Sequence, residues 1–308
     1  MINALFAARP ERWDTYEPTL RAAFEAEGLA VDLRQDFAPE EVDYIIYAPN
    51  SDLQDFRPYT RCKAVLNLWA GVEKITTNET LTQPLCRMVD PGLTQSMIEW
   101  VTGHVLRYHL DIDRSLALQN SWSPYIPPLA EERPITILGL GALGQACATA
   151  LTQLGFPVSG WSRTAKSVAG VTCHHGPEGL NAALAEAQIV ILLLPDTPHT
   201  QNILNSQSLA RLPKGARIIN PGRGPLIDDE ALLAALETGQ IAHATLDVFR
   251  IEPLPEDHPY WAHPKVTVTP HIAAETRPIT ASRVIAENIR LGEAGEDFVH
   301  LVDRNRGY

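Results

Sequence analysis

The chain has 308 residues, of which 45% are hydrophobic and 20% charged, and its formal net charge is −12. This length predicts two domains, and the composition is typical of a globular protein rather than a disordered or fibrous one. The acidic balance argues against a nucleic-acid partner, although it leaves room for a local basic pocket that binds an anionic ligand.

The cysteines and the first residues indicate where the protein works. Four cysteines are scattered along the chain without a Cys-x-x-Cys pair, namely Cys62, Cys86, Cys147 and Cys173. Such spacing favours free, buried thiols in a reducing cytosol over disulfides, so we expect a cytoplasmic protein. Residues 1–9 lack the basic start and long apolar core of a signal peptide, and no apolar run is long enough to span a membrane.

The first hundred residues alternate predicted strands and helices. Strands are predicted at 2–8, 42–48 and 64–69, and an amphipathic helix over 16–27. A long helical pattern over 94–118 follows and is expected to cross between two halves of the molecule. A proline-rich loop then marks a break, so a small α/β unit is complete before the next motif begins.

The strongest local signal is a glycine-rich turn between a predicted strand and a predicted helix. Residues 134–144 read Pro-Ile-Thr-Ile-Leu-Gly-Leu-Gly-Ala-Leu-Gly, and a helical pattern continues over 145–154. In this context Gly139, Gly141 and Gly144 form a dinucleotide-binding fingerprint. The first permits the turn, the second lets the backbone approach a pyrophosphate, and the third lets helix and strand pack closely. The alternative is an ordinary strand–helix turn.

Strands and helices continue to alternate after this loop. Strands are predicted at 157–161, 189–194, 217–220, 242–248 and 266–269, with helices at 228–236 and 281–291. This alternation predicts an α/β fold with two Rossmann-like or flavodoxin-like domains, parallel doubly wound sheets and a cleft between them. We expect a discontinuous substrate-binding domain of residues 1–97 plus 274–308, to which the last helix returns. The dinucleotide-binding Rossmann domain, residues 98–273, is inserted into it.

The end of the second strand of the inserted domain indicates which dinucleotide binds. NAD-binding domains normally carry an acidic residue there, which contacts the ribose 2′-hydroxyl. Here Ser162, Arg163 and Lys166 instead offer a hydroxyl and two cations, which suit a 2′-phosphate. We therefore predict NADPH as the preferred cofactor, with NADH as the alternative cofactor. The competing interpretation is a solvated basic loop.

Three ionisable residues follow predicted strands of the inserted domain. Arg223, Glu252 and His271 each stand just beyond a strand end, where ligands bind in open α/β sheets. A histidine with a carboxylate partner can donate a proton, because the negative charge raises its pKa, and a neighbouring arginine can anchor a carboxylate. Each residue alone has an ordinary explanation, but the three together predict a catalytic site. The histidines elsewhere, including His174 and His175, lack a metal-ligand set.

Several segments together resemble one known family. They are Trp69-Ala-Gly71-Val72, the glycine loop, Leu194-Pro195-Asp-Thr-Pro, Asn220-x-x-Arg223-Gly224, Leu246-Asp247-Val248-Phe249, Glu252-Pro-Leu-Pro and Pro270-His271. Over nearly its whole length the chain resembles the D-isomer-specific 2-hydroxyacid dehydrogenase family. Residues 161–164, 271–278 and 302–308 are similar to a subgroup that reduces glyoxylate and hydroxypyruvate. Pro221-Gly222 departs from the small residue that many members carry before the arginine.

The resemblance implies an activity with a role for each site residue. The activity is NADPH-dependent reduction of small 2-oxo acids, with glyoxylate and hydroxypyruvate as the first candidates. His271 would protonate the carbonyl oxygen during hydride transfer, Glu252 would orient and charge His271, and Arg223 would grip the substrate. Peptide N–H groups near Ala70, Gly71 and Val72 would bind the substrate carboxylate, and Tyr47, Trp69 and Arg277 are further substrate-binding candidates.

The resemblance also implies cofactor contacts and a partner. Asp247 would contact the nicotinamide carboxamide, and Pro195 would lie beside the nicotinamide ribose. The full set of implied cofactor contacts adds Gly139, Gly141, Ala142, Leu143, Gly144, Leu194, Asn220, Pro221, Gly222 and Ala273 to the residues at the second strand end. Residues 94–128 resemble a dimerisation segment, so we expect a homodimer. Two alternatives stay open: another D-2-hydroxyacid dehydrogenase, of D-lactate or phosphoglycerate type, and a non-catalytic NAD(P)-sensing protein of corepressor type.

Overall fold

The computed structural model describes residues 1–304, so the end of the 302–308 segment lies outside the described residues. The strands are β1 Ile2–Ala7, β2 Val31–Arg34, β3 Tyr44–Tyr47, β4 Ala64–Asn67, β5 Leu85–Cys86, β6 Ile135–Leu138, β7 Val158–Ser162, β8 Val171–His175, β9 Ile189–Leu192, β10 Ala216–Asn220, β11 Ile241–Leu246 and β12 Val266–Val268. The helices are α1 Trp13–Ala26, α2 Glu73–Thr76, α3 Pro91–His109, α4 Ile112–Ala117, α5 Ala142–Gln153, α6 Gly176–Ala185, α7 Ser206–Leu209, α8 Asp229–Thr238 and α9 Pro278–Ala294.

The first compact unit consists of Met1–Leu93 together with the chain from Glu275 onward. Its sheet has the order β2-β1-β3-β4-β5 with every pair parallel, which is the flavodoxin-like order. The helices α1 and α9 cover one face, where Leu20 and Ile289 pack in the same core as Phe6. A second core, which includes Phe56 and Leu81, covers the other face.

The second compact unit is Thr94–Ala274. Its parallel sheet has the order β12-β11-β10-β9-β6-β7-β8, which is the Rossmann order of two mononucleotide-binding halves. The helices α3 and α5 pack on one face, with Val101 and Leu151 in their core, and α6 and α8 pack on the other with Leu184 and Leu236. The predicted α/β class with doubly wound parallel sheets is therefore confirmed. The strand order reverses between β6 and β9, where such sheets bind ligands.

Several element predictions needed correction. The single helix predicted over 94–118 is two helices, because Asp111 adopts a left-handed backbone conformation, with φ of 52°, between α3 and α4. Three strands were missed, namely Val31–Arg34, Leu85–Cys86 and Val171–His175. The last is an edge strand whose side chains are half-buried or exposed, so its sequence lacks the apolar run of a buried parallel strand.

The four cysteines are free thiols, three of them buried and Cys173 partly exposed. Burial raises the pKa of Cys62, Cys86 and Cys147 to about 12, so these thiols stay protonated. Among residues 1–304, no helix is both long and apolar enough to cross a membrane.

Candidate active site

The glycine loop lies at the carboxyl end of β6, where the strand order reverses. Gly139 has φ of +110°, and a Cβ there would lie 2.4 Å from the backbone oxygen of Leu193. A Cβ on Gly144 would lie 1.8 Å from the Gly139 carbonyl oxygen, so only glycine fits at either position. A Cβ on Gly141 would meet nothing within 4 Å, which leaves open space beside the backbone at the start of α5. This open space fits the close approach of a pyrophosphate.

The residues expected to bind the 2′-phosphate lie at the end of β7 and in the turn that follows it. Arg163 and Lys166 are exposed in the turn that follows the strand, and Ser162 is buried. The hydroxyl of Ser162 donates to the carbonyl oxygen of Thr164 at 2.8 Å. Because its hydrogen is already engaged, Ser162 offers a phosphate less than its sequence position suggests. The two exposed cations are the groups here that suit a phosphate.

His271 and Glu252 form a hydrogen-bonded pair. Nδ1 of His271 lies 2.8 Å from Oε2 of Glu252, and Oε1 of Glu252 accepts the peptide N–H of Phe249 at 2.9 Å. The hydrogen bond to Glu252 raises the pKa of His271, against the opposing effects of burial and of the Arg223 charge. Burial acts to raise the pKa of Glu252, but the hydrogen bonds from His271 and Phe249 and the nearby cations outweigh it and lower that pKa. Both shifts favour the charged forms of the pair.

Asp247 holds the turn that carries His271. Its side chain is 1% exposed, and Oδ1 accepts the Thr269 hydroxyl at 2.5 Å and the Ile272 N–H at 2.9 Å, while Oδ2 accepts the Ala273 N–H at 2.9 Å. The peptide N–H of His271 donates to the Asp247 carbonyl oxygen at 2.8 Å. His271 has φ of 56°, a left-handed conformation that is uncommon outside glycine. The network around Asp247 therefore fixes the backbone that carries the imidazole.

Arg223 lies in a tight turn after β10. The Asn220 side chain, 1% exposed, donates to the Arg223 carbonyl oxygen at 2.9 Å and accepts the Gly222 N–H at 3.1 Å. One guanidinium nitrogen of Arg223 donates to the Gly222 carbonyl oxygen at 2.7 Å. Pro221-Gly222 therefore forms an ordered turn. The amide of Asn220 is already hydrogen-bonded within that turn at both its oxygen and its nitrogen, which limits the hydrogen bonds it can form with a cofactor.

The remaining cofactor candidates surround the same strand ends. Leu194 and Pro195 follow β9, and the Pro195 carbonyl oxygen accepts the Thr200 hydroxyl at 2.6 Å. Ala142 and Leu143 begin α5, and none of residues 1–304 accepts their peptide N–H groups. Ala273 is buried in the core of the second unit. Within the described chain, no group of three His, Cys, Asp or Glu residues could hold a metal ion.

The predicted substrate-binding residues belong to the first unit, apart from Arg223. The peptide N–H groups of Ala70, Gly71 and Val72 meet no hydrogen-bond acceptor among residues 1–304, so this loop after β4 can receive an anion. Trp69 is 38% exposed. Tyr47 is 2% exposed and packs edge-on against Phe56, so its ring is part of the core and presents little surface to a substrate.

Two polar residues in these loops, the buried Asn67 and the partly buried Thr269, were missed from the sequence. Asn67 ends β4 and donates to the backbone of the loop that follows, and Thr269 donates to Asp247. Asn67 is the polar residue within the predicted strand 64–69 and Thr269 the polar residue at the end of the predicted strand 266–269, which is the signal that could have identified them. Arg277, the last of the predicted substrate-binding residues, is exposed at the start of α9.

Residues 104–273 match the family model described as D-isomer specific 2-hydroxyacid dehydrogenase, NAD binding domain. The chain is 46% identical over 257 residues to glyoxylate/hydroxypyruvate reductase A of Serratia proteamaculans (strain 568), an alignment that covers 80% of this chain and 82% of the relative. These matches extend beyond the glycine loop to most of the chain.

Solved structures give the same result. A D-isomer specific 2-hydroxyacid dehydrogenase from Xanthobacter autotrophicus Py2, in complex with NADPH and MES, is 40% identical and superposes with a TM-score of 0.92 over 99% of both chains. An NADPH-dependent glyoxylate/hydroxypyruvate reductase from Sinorhizobium meliloti, in complex with NADP and sulfate, is 30% identical with a TM-score of 0.86 over the full length of both chains.

Proposed function

Because the chain belongs to the D-isomer-specific 2-hydroxyacid dehydrogenase family, we propose that it is an NADPH-dependent reductase of small 2-oxo acids. Its reactions are the reduction of glyoxylate to glycolate and of hydroxypyruvate to D-glycerate, as the names of its relatives indicate. The observation that carries the proposal is the His271–Glu252 pair, which lies in the same unit as a glycine loop that fits a dinucleotide.

His271 acts as the proton donor. Since Nδ1 is engaged with Glu252, the other ring nitrogen, Nε2, is the one that delivers a proton to the carbonyl oxygen of the substrate. The raised pKa of His271 keeps the imidazolium populated at higher pH than an isolated histidine would allow. After the transfer, Nδ1 keeps its proton and donates it in the hydrogen bond to Glu252, which fixes the tautomer of the neutral ring. The same neutral ring accepts a proton when the reaction runs in reverse.

Arg223 and the loop at residues 69–72 bind the substrate in this proposal. The guanidinium of Arg223 pairs with the substrate carboxylate and polarises its carbonyl. The N–H groups of Ala70, Gly71 and Val72, which meet no acceptor among the described residues, donate to the same carboxylate. Trp69 and Arg277 are exposed and shape specificity around it, whereas the buried Tyr47 acts through packing.

NADPH, when bound, supplies the hydride. The open backbone at Gly141 and the N–H groups of Ala142 and Leu143, which meet no acceptor among residues 1–304, would hold the pyrophosphate. Arg163 and Lys166 would hold the 2′-phosphate. The contacts implied at the nicotinamide end involve Leu194, Pro195, Asn220, Pro221, Gly222, Asp247 and Ala273. NADH is the weaker cofactor, because it lacks the 2′-phosphate that would pair with the two cations.

Domain roles and assembly complete the proposal. The discontinuous domain, 1–97 plus 274–308, binds substrate and the inserted domain, 98–273, binds the dinucleotide. Residues 94–128 form the homodimer contact, supported by exposed apolar side chains at Leu116, Trp122 and Ile126, which are 61%, 100% and 90% exposed. The free thiols support a cytoplasmic location.

A steady-state assay tests the proposal. NADPH oxidation is followed at 340 nm, the absorbance wavelength of the reduced nicotinamide, with glyoxylate, hydroxypyruvate and pyruvate, and each assay is repeated with NADH. We expect turnover with the first two acids and a higher kcat/KM with NADPH than with NADH. Preference for pyruvate would favour the D-lactate type. Binding of NADPH without turnover of any 2-oxo acid would favour a nucleotide-sensing protein of corepressor type.

A further inference from the structure

Asn67 is a buried polar residue at the end of an apolar strand. Its side chain is 1% exposed, and its Nδ2 donates to the carbonyl oxygen of Trp69 at 2.8 Å and to that of Gly71 at 3.2 Å. Both partners can only accept hydrogen bonds, so the amide must face them with its NH₂ group. One side chain therefore binds two carbonyl groups, separated by one residue, in the loop that follows β4.

Holding these carbonyl groups also fixes the N–H groups on their far side. In a trans peptide the N–H of one residue points opposite to the C=O of the residue before it. When the Trp69 and Gly71 carbonyl groups turn towards Asn67, the N–H groups of Ala70 and Val72 must turn away from it together. Neither of these N–H groups meets an acceptor among residues 1–304.

The Gly71 carbonyl depends most on this arrangement. The Trp69 carbonyl oxygen also accepts the peptide N–H of Met88 at 3.1 Å, whereas within the described chain the Gly71 carbonyl oxygen accepts only from Asn67. Without the Asn67 amide, the peptide group between Gly71 and Val72 would therefore lose more of its restraint than the peptide group between Trp69 and Ala70.

Stability of the strand does not explain an asparagine at this position. Its Oδ1 is buried and has no hydrogen-bond partner among residues 1–304. An orphaned buried acceptor costs free energy that an apolar side chain of similar size would avoid, and the other residues of β4 are apolar. The amide must therefore provide something that a leucine or valine could not, and its two hydrogen bonds to the loop are what it provides.

We propose that Asn67 is the positioning residue of the carboxylate-binding loop. It presents the N–H groups of Ala70 and Val72 side by side for the substrate carboxylate, without touching the substrate itself. This inference rests on the proposed function, in which that loop binds a 2-oxo acid. Asn220 provides a parallel in the other unit, because its buried amide holds the turn that carries Arg223.

Two substitutions test the role. Asn67→Leu removes both hydrogen bonds, and Asn67→Asp keeps the shape but turns a carboxylate towards two carbonyl oxygens. We expect both to raise the KM for glyoxylate and the Ki of oxamate, an unreactive carboxylate analogue, by about tenfold or more. We expect kcat and the KM for NADPH to stay within about twofold of the unsubstituted protein. The defect of Asn67→Asp should shrink at low pH, where the protonated carboxyl regains a donor.

Asn288→Leu is the matched control. Asn288 lies in the same unit, is also 1% exposed, and uses its amide for the backbone at Val284 and Val299. We expect this variant to lower Tm but to leave the KM for glyoxylate unchanged. If the Asn67 variants behave in the same way, Asn67 is structural and the proposal is wrong. If Asn67→Leu does not fold, Asn67→Asp carries the comparison.

Assays of the unsubstituted protein distinguish a failure of the positioning role of Asn67 from a failure of the proposed function. Turnover of glyoxylate together with an unchanged KM in the Asn67 variants would overturn the positioning role alone. If the unsubstituted protein neither turns over any 2-oxo acid nor binds oxamate with NADPH present, the proposed function and the role of Asn67 fail together. Calorimetric titration with oxamate measures that binding without relying on catalysis.

Discussion

Nδ1 of His271 and Oε2 of Glu252 are 2.8 Å apart, and the second oxygen of Glu252 accepts the peptide N–H of Phe249 at 2.9 Å. The carboxylate is therefore oriented from one side by the backbone and presents its other oxygen to the imidazole. This geometry leaves Nε2 as the ring nitrogen that can act on a substrate, and it couples the protonation of His271 to the charge on Glu252.

Glu252→Gln should shift the pH profile of reduction. The hydrogen bond and the negative charge of Glu252 raise the pKa of His271, so a neutral amide lets that pKa fall. Reduction requires the protonated ring, and its fraction declines as pH rises through the pKa. We therefore expect the alkaline limb of kcat/KM for reduction to move to lower pH, while oxidation of the 2-hydroxy acid, which needs the neutral ring, begins at lower pH.

Glu256→Gln is the control for this prediction. Glu256 is an exposed carboxylate in the same loop, so its substitution changes the net charge equally. The pH profile of this variant should match that of the unsubstituted protein. Identical profiles for Glu252→Gln and the unsubstituted protein would contradict the pairing of Glu252 with His271 in solution.

His271→Ala should remove the proton donor while sparing the cofactor. Positioned general acids contribute about 10²- to 10⁴-fold to rate, so we expect kcat to fall by that order. The dissociation constant of NADPH, measured by quenching of tryptophan fluorescence, should stay within about threefold, because the glycine loop and the β7 turn are untouched. A variant that keeps more than a tenth of the original kcat would show that another group donates the proton.

The sequence predicts candidate residues at strand ends because their signals are local. Parallel strands and a glycine fingerprint have short patterns, and functional groups in such folds follow strand ends. Arg223, Glu252 and His271 could therefore be assigned to one region, and in the structure Glu252 and His271 are in hydrogen-bond contact. The left-handed conformation of His271 and the carboxylate network that holds it depend on contacts between residues 22 to 26 positions apart in the sequence, such as that from Ile272 to Asp247.

The sequence does not predict which side chains are buried or already engaged in hydrogen bonds. Tyr47 lies at a strand end as a surface residue would, yet tertiary packing against Phe56 buries it. Ser162 carries the right group for a phosphate, but a local hydrogen bond to Thr164 engages its hydrogen. Asn67 resembles any polar residue after an apolar run, and only the folded loop shows its two acceptors. These outcomes depend on side-chain geometry, on which periodicity carries no information.

Arg163→Asp should change the cofactor preference. The substitution replaces a cation that suits the 2′-phosphate with a carboxylate that repels it and can instead accept from a ribose hydroxyl. Charged hydrogen bonds contribute about 1.5–3 kcal/mol, so the KM for NADPH should rise roughly 10- to 150-fold while that for NADH changes little. Arg211→Asp, which removes another exposed arginine of the second unit, should leave both values unchanged. An unaltered NADPH/NADH ratio in Arg163→Asp would count against the phosphate role.

Trp122→Ser should weaken the proposed homodimer. The indole is 100% exposed in the single chain, and large aromatic side chains are the commonest energetic centres of protein interfaces, each worth about 2 kcal/mol or more. We expect the dimer dissociation constant from sedimentation equilibrium to rise at least about 30-fold. Ile279→Ser removes an apolar side chain that is 62% exposed on α9, outside residues 94–128, and should leave the assembly unchanged. A monomeric unsubstituted protein would refute the proposed dimer.

Asp247→Asn should disturb the turn that carries His271. The buried carboxylate accepts three hydrogen bonds, from the Thr269 hydroxyl and from the N–H groups of Ile272 and Ala273. An asparagine side chain turns its NH₂ group towards at least one of these donors and leaves that donor unsatisfied, at a cost of about 1–3 kcal/mol. We expect a lower Tm and a 10- to 100-fold lower kcat, roughly the loss caused by a small displacement of a catalytic group.

If Asp247 acts instead through the implied contact with the cofactor, Asp247→Asn should give a different result from the one above. If the side chain acted mainly by meeting the nicotinamide carboxamide, Asp247→Asn would raise the KM for NADPH and leave Tm near its original value. Thr269→Val separates the two roles, because it removes one donor to the carboxylate without altering the carboxylate itself. A fall in both Tm and kcat in Thr269→Val, smaller than in Asp247→Asn and with the KM for NADPH unchanged, would show that the network acts by holding His271 in place.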